Sequence, residues 1–514
     1  MSTKQNQAGI VIAGLLLAIL MASMDNTIVA TAMGTIVGEL GGLDKFVWVT
    51  SAYMVAEMAG MPIFGKLSDM YGRKRFFVFG MIVFIAGSAL CGTAQSIVQL
   101  SLYRAIQGIG GGALIPVAFT IMFDAVPPEK RGKLSGLFGA VFGMSSIFGP
   151  LLGAYITDYV RWEWIFYINL PIGLLSFAFI GLYYKESHAH SKQRIDWWGA
   201  ATLVGAIVCL MFAMELGGKQ FAWGSAQIVG LFAGFAVLAA SFLFIESRAE
   251  EPIITFRMFR SRLYAASNVI AMLGGAAFVT ASVYIPIFIQ GVLGGSATNS
   301  GLVLLPMMLG SVVTATAGGF LISKFSYRAI MIPTLLLLAL GLLLLTTLST
   351  DSSRLQVTLY MIMVGLGIGA SFSVLSNAAI HSFPTGQRGA ASSTLNFLRS
   401  LGMTLGITVY GIVQSHALTR RLTDAFAESG SSAAGANLNI GDPHSLLSPA
   451  ARAQIPDQVL GKIADGLSSS IAVTFAWSLV PAVLAVAAAF AMGRDRLKPA
   501  TEAEAPEERL AVSH

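Results

Sequence analysis

Gly9-Ile-Val-Ile-Ala-Gly14-Leu-Leu-Leu-Ala-Ile-Leu-Met-Ala-Ser-Met24-Asp25-Asn-Thr-Ile-Val-Ala-Thr-Ala-Met-Gly34 carries one charged residue, Asp25, in a run long enough to cross a bilayer. A helical span needs about 20 predominantly apolar residues, because lipid offers the backbone no hydrogen-bond partner and the helix must satisfy itself. The pattern recurs down the 514-residue chain. Apolar stretches stand near 9–33, 46–65, 76–94, 98–123, 134–157 and 164–184, then at 197–216 and 226–245. A last group lies at 264–289, 299–322, 329–348, 355–379, 390–416 and 470–492. The expected fold class is all-α integral membrane, with 14 transmembrane helices arranged as two six-helix bundles plus two inserted helices.

Composition points the same way. The chain is 55% hydrophobic and 11% charged, whereas soluble domains carry about 25% charged residues. Its 55 glycines suit helices that pack closely in lipid. The net charge of +6 makes no nucleic-acid patch, because the basic residues lie in short connections between apolar stretches. Most fall on the side that is cytoplasmic if the N-terminus is inside, as the positive-inside rule asks. A multi-pass protein of the cell membrane with both termini cytoplasmic is expected. The stretch 9–34 lacks the cleavage site of a signal peptide. Cys91 and Cys209 sit in apolar segments without metal-ligand spacing and read as small buried residues.

The expected organisation is an N-terminal bundle 1–184, an inserted two-helix segment 185–263, a C-terminal bundle 264–492 and a tail 493–514. The C-terminal bundle includes a long external loop, 417–469. In that loop Ser429–Asn437 is rich in Ser, Ala and Gly and should be flexible, and Pro456–Leu467 is expected to form a short amphipathic helix. The tail residues 499–514 are polar and expected to be disordered. A weak repeat supports the two-bundle plan. Gly65-Lys-Leu-Ser-Asp69-Met-Tyr-Gly72-Arg73-Lys-Arg75 follows the second stretch, and Gly319, Leu321, Ser323, Ser326 and Arg328 echo it in the second half. Repeated halves that rock about a central site are a common transporter design.

Several motifs carry a family resemblance. The loop Gly65–Arg75 resembles the signature loop of the major facilitator superfamily. Asp25-Asn26-Thr27-Ile28-Val29 is similar to a first-span motif of drug:proton antiporters, Arg104-Ala-Ile-Gln107-Gly108 to a motif of proton-coupled members, and Gly149-Pro150-Leu-Leu-Gly153 to a fifth-span motif associated with antiport. Trp162 to Gly173, with Asp196-Trp-Trp-Gly199, resembles the 14-helix QacA/EmrB type. The resemblance implies proton-driven export of lipophilic, often cationic small molecules, with Gly149, Pro150 and Gly153 as a flexible seam between bundles. Some relatives work with a periplasmic adaptor.

Ionisable groups inside a membrane are expensive and default to functional candidates. Asp25, Glu57, Arg104 and Arg399 qualify. Asp25 and Arg104 fall at similar depth and are expected to face one another, either as a proton-coupling pair or as a permanent ion pair holding spans one and four together. Gln107 lies on the same helix face as Arg104. Glu57 reads as a second proton site, a ligand for cationic cargo, or a neutral structural acid. At the cytoplasmic side Gly65, Asp69, Gly72, Arg73, Arg75 and Arg131 form a candidate conformational latch; basic residues there serve topology in any case, but topology asks for no acid. The 22 Met and 32 Phe suit an adaptable cavity.

No G-x-x-x-x-G-K-S/T loop and no metal-ligand cluster occurs in the sequence, so neither an enzyme, nor a cofactor, nor ATP-driven transport is expected; the proton gradient is the expected energy source. Export of one metabolite or lipid stays open beside multidrug efflux. A membrane sensor without transport would not need a titratable pair inside its spans.

Overall fold

The computed structural model describes residues 2–41, 47–126, 128–186, 196–218, 220–295, 297–427 and 457–496. These form fifteen α-helices: α1 Ser2–Leu40, α2 Val47–Tyr71, α3 Arg73–Cys91, α4 Ile97–Ala125, α5 Pro128–Tyr159, α6 Trp164–Tyr167, α7 Asn169–Tyr183, α8 Trp197–Leu216, α9 Ala226–Arg248, α10 Arg262–Gly291, α11 Ala297–Leu321, α12 Tyr327–Leu345, α13 Arg354–Ile380, α14 Arg388–Ala427 and α15 Asp457–Phe490. The chemistry of their ends is local. Ser96, Ser225, Ser326 and Ser353 each accept the amide three residues on, and Asp196 accepts from Gly199 N at 2.8 Å, which satisfies donors the first helical turn leaves open. Gly72, at φ 110°, turns the chain from α2 into α3 in a conformation that side chains resist.

A helix stands at each of the fourteen apolar stretches. Among the described residues, eleven of these segments, with α6 and α7 as one, are long and apolar enough to cross a membrane. The two halves are joined chiefly by α2, α5, α11 and α14. Helices α1–α7 pack chiefly on one another and α10–α15 do likewise, while α2 meets α14 and α5 meets α11 and α13 across the middle. Burial varies from span to span: 89% of the α4 window is covered, against 11% for α9. The α8–α9 pair leans on the rest through α8, where Leu203, Ile207 and Met211 pack with Val55 and Met58 of α2 and Phe397 of α14.

Three expectations need adjusting. The sixth stretch is two helices broken at Ile168. The stretch before Leu467 is no separate short helix, because α15 runs unbroken from Asp457 through it. The stretch expected as the loop 417–469 begins in helix, since α14 continues to Ala427. Ser429–Asn437 and 499–514 lie outside the described residues.

Candidate functional site

The centre of the first half is polar and buried. Asp25 of α1, Arg104 and Gln107 of α4 and Asn169 of α7 each have 0% exposure. Arg104 Nη1 pairs with Asp25 Oδ2 and donates to Gln107 Oε1 at 2.8 Å. Gln107 Nε2 in turn donates to Asp25 Oδ1 at 2.8 Å, and Asn169 Nδ2 donates to the same oxygen at 2.9 Å. The carboxylate therefore holds one guanidinium and two amides. Arg104 also donates through Nε to Val49 O at 3.3 Å, and the Tyr53 ring lies 4.1 Å from its Cζ, a cation–π contact that favours the charge.

Local sequence explains the convergence. Arg104 and Gln107 are three residues apart and share a face of α4. The glycines that follow remove the bulk that would hold neighbours off: a β-carbon at Gly110 would stand 2.6 Å from Gly80 O, and one at Gly112 2.6 Å from Glu57 O. The break at Ile168 starts a new helix at Asn169, whose side chain bridges Asp25 and Ser88 Oγ, the latter at 3.0 Å.

The sequence treated Glu57 separately, and the structure joins it to the same network. Arg104 Nη2 donates to Asn26 Oδ1 at 3.3 Å, and the Asn26 side chain is hydrogen-bonded to Glu57. Two acids, one guanidinium and three amides thus form one continuous cluster. Asn26, Tyr53, Ser88 and Asn169 were not singled out from sequence; Asn26 and Asn169 stand within quoted motifs, but a neutral amide gives no charge signal.

A second cluster closes the end of the molecule where α2 passes into α3; the expected Gly65–Arg75 loop is helical on both sides of Gly72. Asp69 of α2 accepts from the amides of Gly389 at 3.0 Å and Ala390 at 2.9 Å, at the N-terminus of α14. Free amides and the helix dipole favour an anion there. Arg73 donates to Asp69 Oδ1 at 3.2 Å and to Thr385 O of the second half, and it pairs with Asp124 of α4. Arg388 reaches Asp124 Oδ1 at 3.6 Å; burial lowers its guanidinium from the ordinary value, and the nearby Arg73 adds to this. Gly65 sits where α2 and α14 touch, a β-carbon there being 2.8 Å from Gly389 O. Of the expected latch, Gly65, Asp69, Gly72 and Arg73 come together. Arg75 is exposed and makes none of these bonds. Arg131 Nε donates to Val126 O at 3.1 Å. Asp124 and Arg388 are additions.

The expected seam divides. Gly149 and Gly153 of α5 pack against Thr27, Thr31 and Ile28 of α1, inside the first half, and Pro150 lies within the unbroken α5 helix. In this state the contact across the halves is made by Gly136 and Gly139, which meet Thr316 and Ala315 of α11. The seam between halves therefore runs a few turns nearer the latch than the motif suggested.

The model of the Major Facilitator Superfamily matches residues 15–407. The chain belongs to that superfamily. Among curated proteins, "Multidrug resistance protein 3" of Bacillus subtilis (strain 168) is 55% identical over 502 residues, covering 98% of each chain. "Multidrug transporter protein MdtP" of the same organism is 39% identical over 421 residues, covering 82% of this chain and 78% of that one. Solved structures of superfamily members share the fold. The proton:xylose symporter XylE superposes with TM-score 0.58 at 14% identity, covering 96% of this chain and 98% of that one. The human organic anion transporter MFSD10 gives 0.59 at 16%, covering 93% and 99%. The superfamily protein is thus a multi-pass membrane protein with multidrug efflux transporters as homologues, and its relatives are transporters, not enzymes.

Proposed function

We propose that this protein exports lipophilic, often cationic small molecules across the cell membrane in exchange for protons, by alternating access of its two halves. In this reading the chain spans the membrane fourteen times in a 6 + 2 + 6 arrangement with both termini cytoplasmic. The bundles are 1–184 and 264–492, 185–263 is the insertion and 493–514 the tail. The state described above is then outward-facing, because the halves are joined at the end bearing Asp69 and Arg73, which the positive-inside rule assigns to the cytoplasm. The motif resemblance to 14-helix drug:proton antiporters and the 55% identity to a protein named for multidrug resistance support both the branch and the class of cargo.

The observation that carries the reading is Asp25, buried without exposure and tied to Arg104, Gln107 and Asn169. A carboxylate in a dry site depends on its cation, so moving Arg104 away favours proton uptake and restoring it favours release. Asp25, Arg104 and Glu57 act as the proton-coupling group, and Asp25, Glu57 and Gln107 border the cargo path. Protonation and cargo binding favour opposite tilts, and each therefore drives the other. The gradient supplies the energy, with no cofactor.

Purified protein in sealed vesicles tests this. An imposed pH difference should drive ethidium against its concentration gradient, and ethidium added without a gradient should move protons the opposite way. Dye movement that is identical with and without a pH difference or voltage contradicts the proposal.

A further inference from the structure

The second half buries a guanidinium of its own. Arg399 of α14 is 9% exposed. Its Nη1 donates to Asn396 Oδ1 at 3.1 Å and its Nη2 to Ser371 O at 3.3 Å, and the Phe372 ring lies 5.1 Å from its Cζ. Every one of these partners is neutral. Among the described residues, none of the ion pairs involves Arg399. Arg104 makes the contrast: it is sealed at 0% exposure and holds Asp25. A cation taken out of water needs a counter-charge, and carbonyl, amide and ring contacts supply only part of it.

Packing keeps this side chain in place. A β-carbon at Gly275 of α10 would stand 2.8 Å from Arg399 O and 3.5 Å from its Cγ, and one at Gly402 would stand 2.7 Å from the Met272 carbonyl carbon. Backbone contacts thus flank the arginine along α14 and fix its stem. Its level in the molecule is also set. Thr404 Oγ1 donates to Met58 Sδ at 3.7 Å, while Ser393 lies against Gly65, so α2 and α14 run antiparallel with Arg399 between the two contacts. Glu57 adjoins Met58 in the other half. At 1.5 Å per residue the acid and the base differ in depth by about 9 Å counted from the Met58–Thr404 contact and by about 3 Å counted from the Gly65–Ser393 contact, within the span of a small molecule charged at both ends.

We propose that Arg399 receives the anionic group of carboxylate-bearing cargo, so that the protein takes zwitterionic compounds with their cationic end toward Glu57. This deepens the export reading and rests on it for the existence of a cargo site. The guanidinium's planar fork suits a carboxylate in particular.

Rhodamine B and its ethyl ester make the test, since they share a cationic ring system and only the first bears a carboxylate. Fluorescence anisotropy of the full chain in nanodiscs, with no gradient present, reads binding of each. Arg399→Gln should weaken rhodamine B about tenfold, the value of one charge-assisted hydrogen bond, and leave the ester within about twofold; Arg399→Lys should recover part of the loss. Ester binding reports that each variant is folded. Equal loss of both dyes, or no loss of rhodamine B, overturns the proposal. If Arg399→Gln does not fold, the wild type decides alone. Benzoate should displace rhodamine B and not the ester, while neutral benzamide should displace neither; equal displacement by benzamide counts against the site. Dye binding without proton exchange in vesicles would remove the antiport reading and leave Arg399's role standing.

Discussion

Asp25 is held from three directions, and each partner has a separable effect. Arg104 supplies charge, while Gln107 and Asn169 supply direction by donating to the same carboxylate oxygen. Removing a neutral donor should therefore weaken the site without abolishing it. Asn169→Ala deletes the bonds to Asp25 and to Ser88, so it should cost about 1–3 kcal/mol of stability and slow dye export while proton coupling persists. Thermal unfolding of the purified variant beside vesicle efflux checks this; loss of coupling with unchanged stability would make Asn169 a direct participant in proton transfer. The charged pair was legible in the sequence, because an acid and a base at matching depth in two apolar stretches need each other. Asn169 was not, since an amide beside a helix break looks like a turn. Asp124 escaped notice for another reason: it stands at the very end of α4, where an acid reads as solvated.

Helix contacts decide which face each element offers. Where α2 meets α14, Gly65 and Gly389 let the backbones touch, a β-carbon at Gly389 being 2.5 Å from Gly65 O and 2.7 Å from Asp69 Oδ1. Gly389→Ala should push the helices apart and bias the molecule against the closed latch, at a cost of about 1–3 kcal/mol for overpacking. A Ser393→Cys reporter, in a chain also carrying Cys91→Ser and Cys209→Ser, reads this directly. Its reaction with N-ethylmaleimide should be slow beside native Gly389 and about tenfold faster with Gly389→Ala; equal rates would mean the contact does not set the population. The helices themselves were readable from apolar length. The break at Ile168 was not, because hydropathy does not register a single interrupted turn in a chain that stays helical in φ and ψ. Helix extension beyond His416, and the fusion of the expected Pro456–Leu467 helix with the last span, were missed because polar residues carry no apolar signal.

At the scale of the whole molecule, two bundles are joined at one end and each buries a cation: Arg104 with its carboxylate, Arg399 with neutral partners. Repetition of the halves was only faintly legible, and the reason is visible at Asp69. Its counterpart in the weak repeat, Ser323, is exposed, while Asp69 is capped by Gly389 and Ala390. Among the described residues Ser323 caps no helix of the other half, its hydroxyl donating to Phe320 O in its own, so an acid at that position would have no such contact to preserve. In the proposed cycle, coupling between the halves stands on a proton that leaves Asp25 when cargo binds. Adding ethidium to the purified chain in lightly buffered solution with a pH-indicator dye measures that event without any membrane or gradient. Wild type should release protons in step with dye occupancy, and Asp25→Asn should bind the dye and release none. Equal release from both would place the titrating group elsewhere and contradict the account.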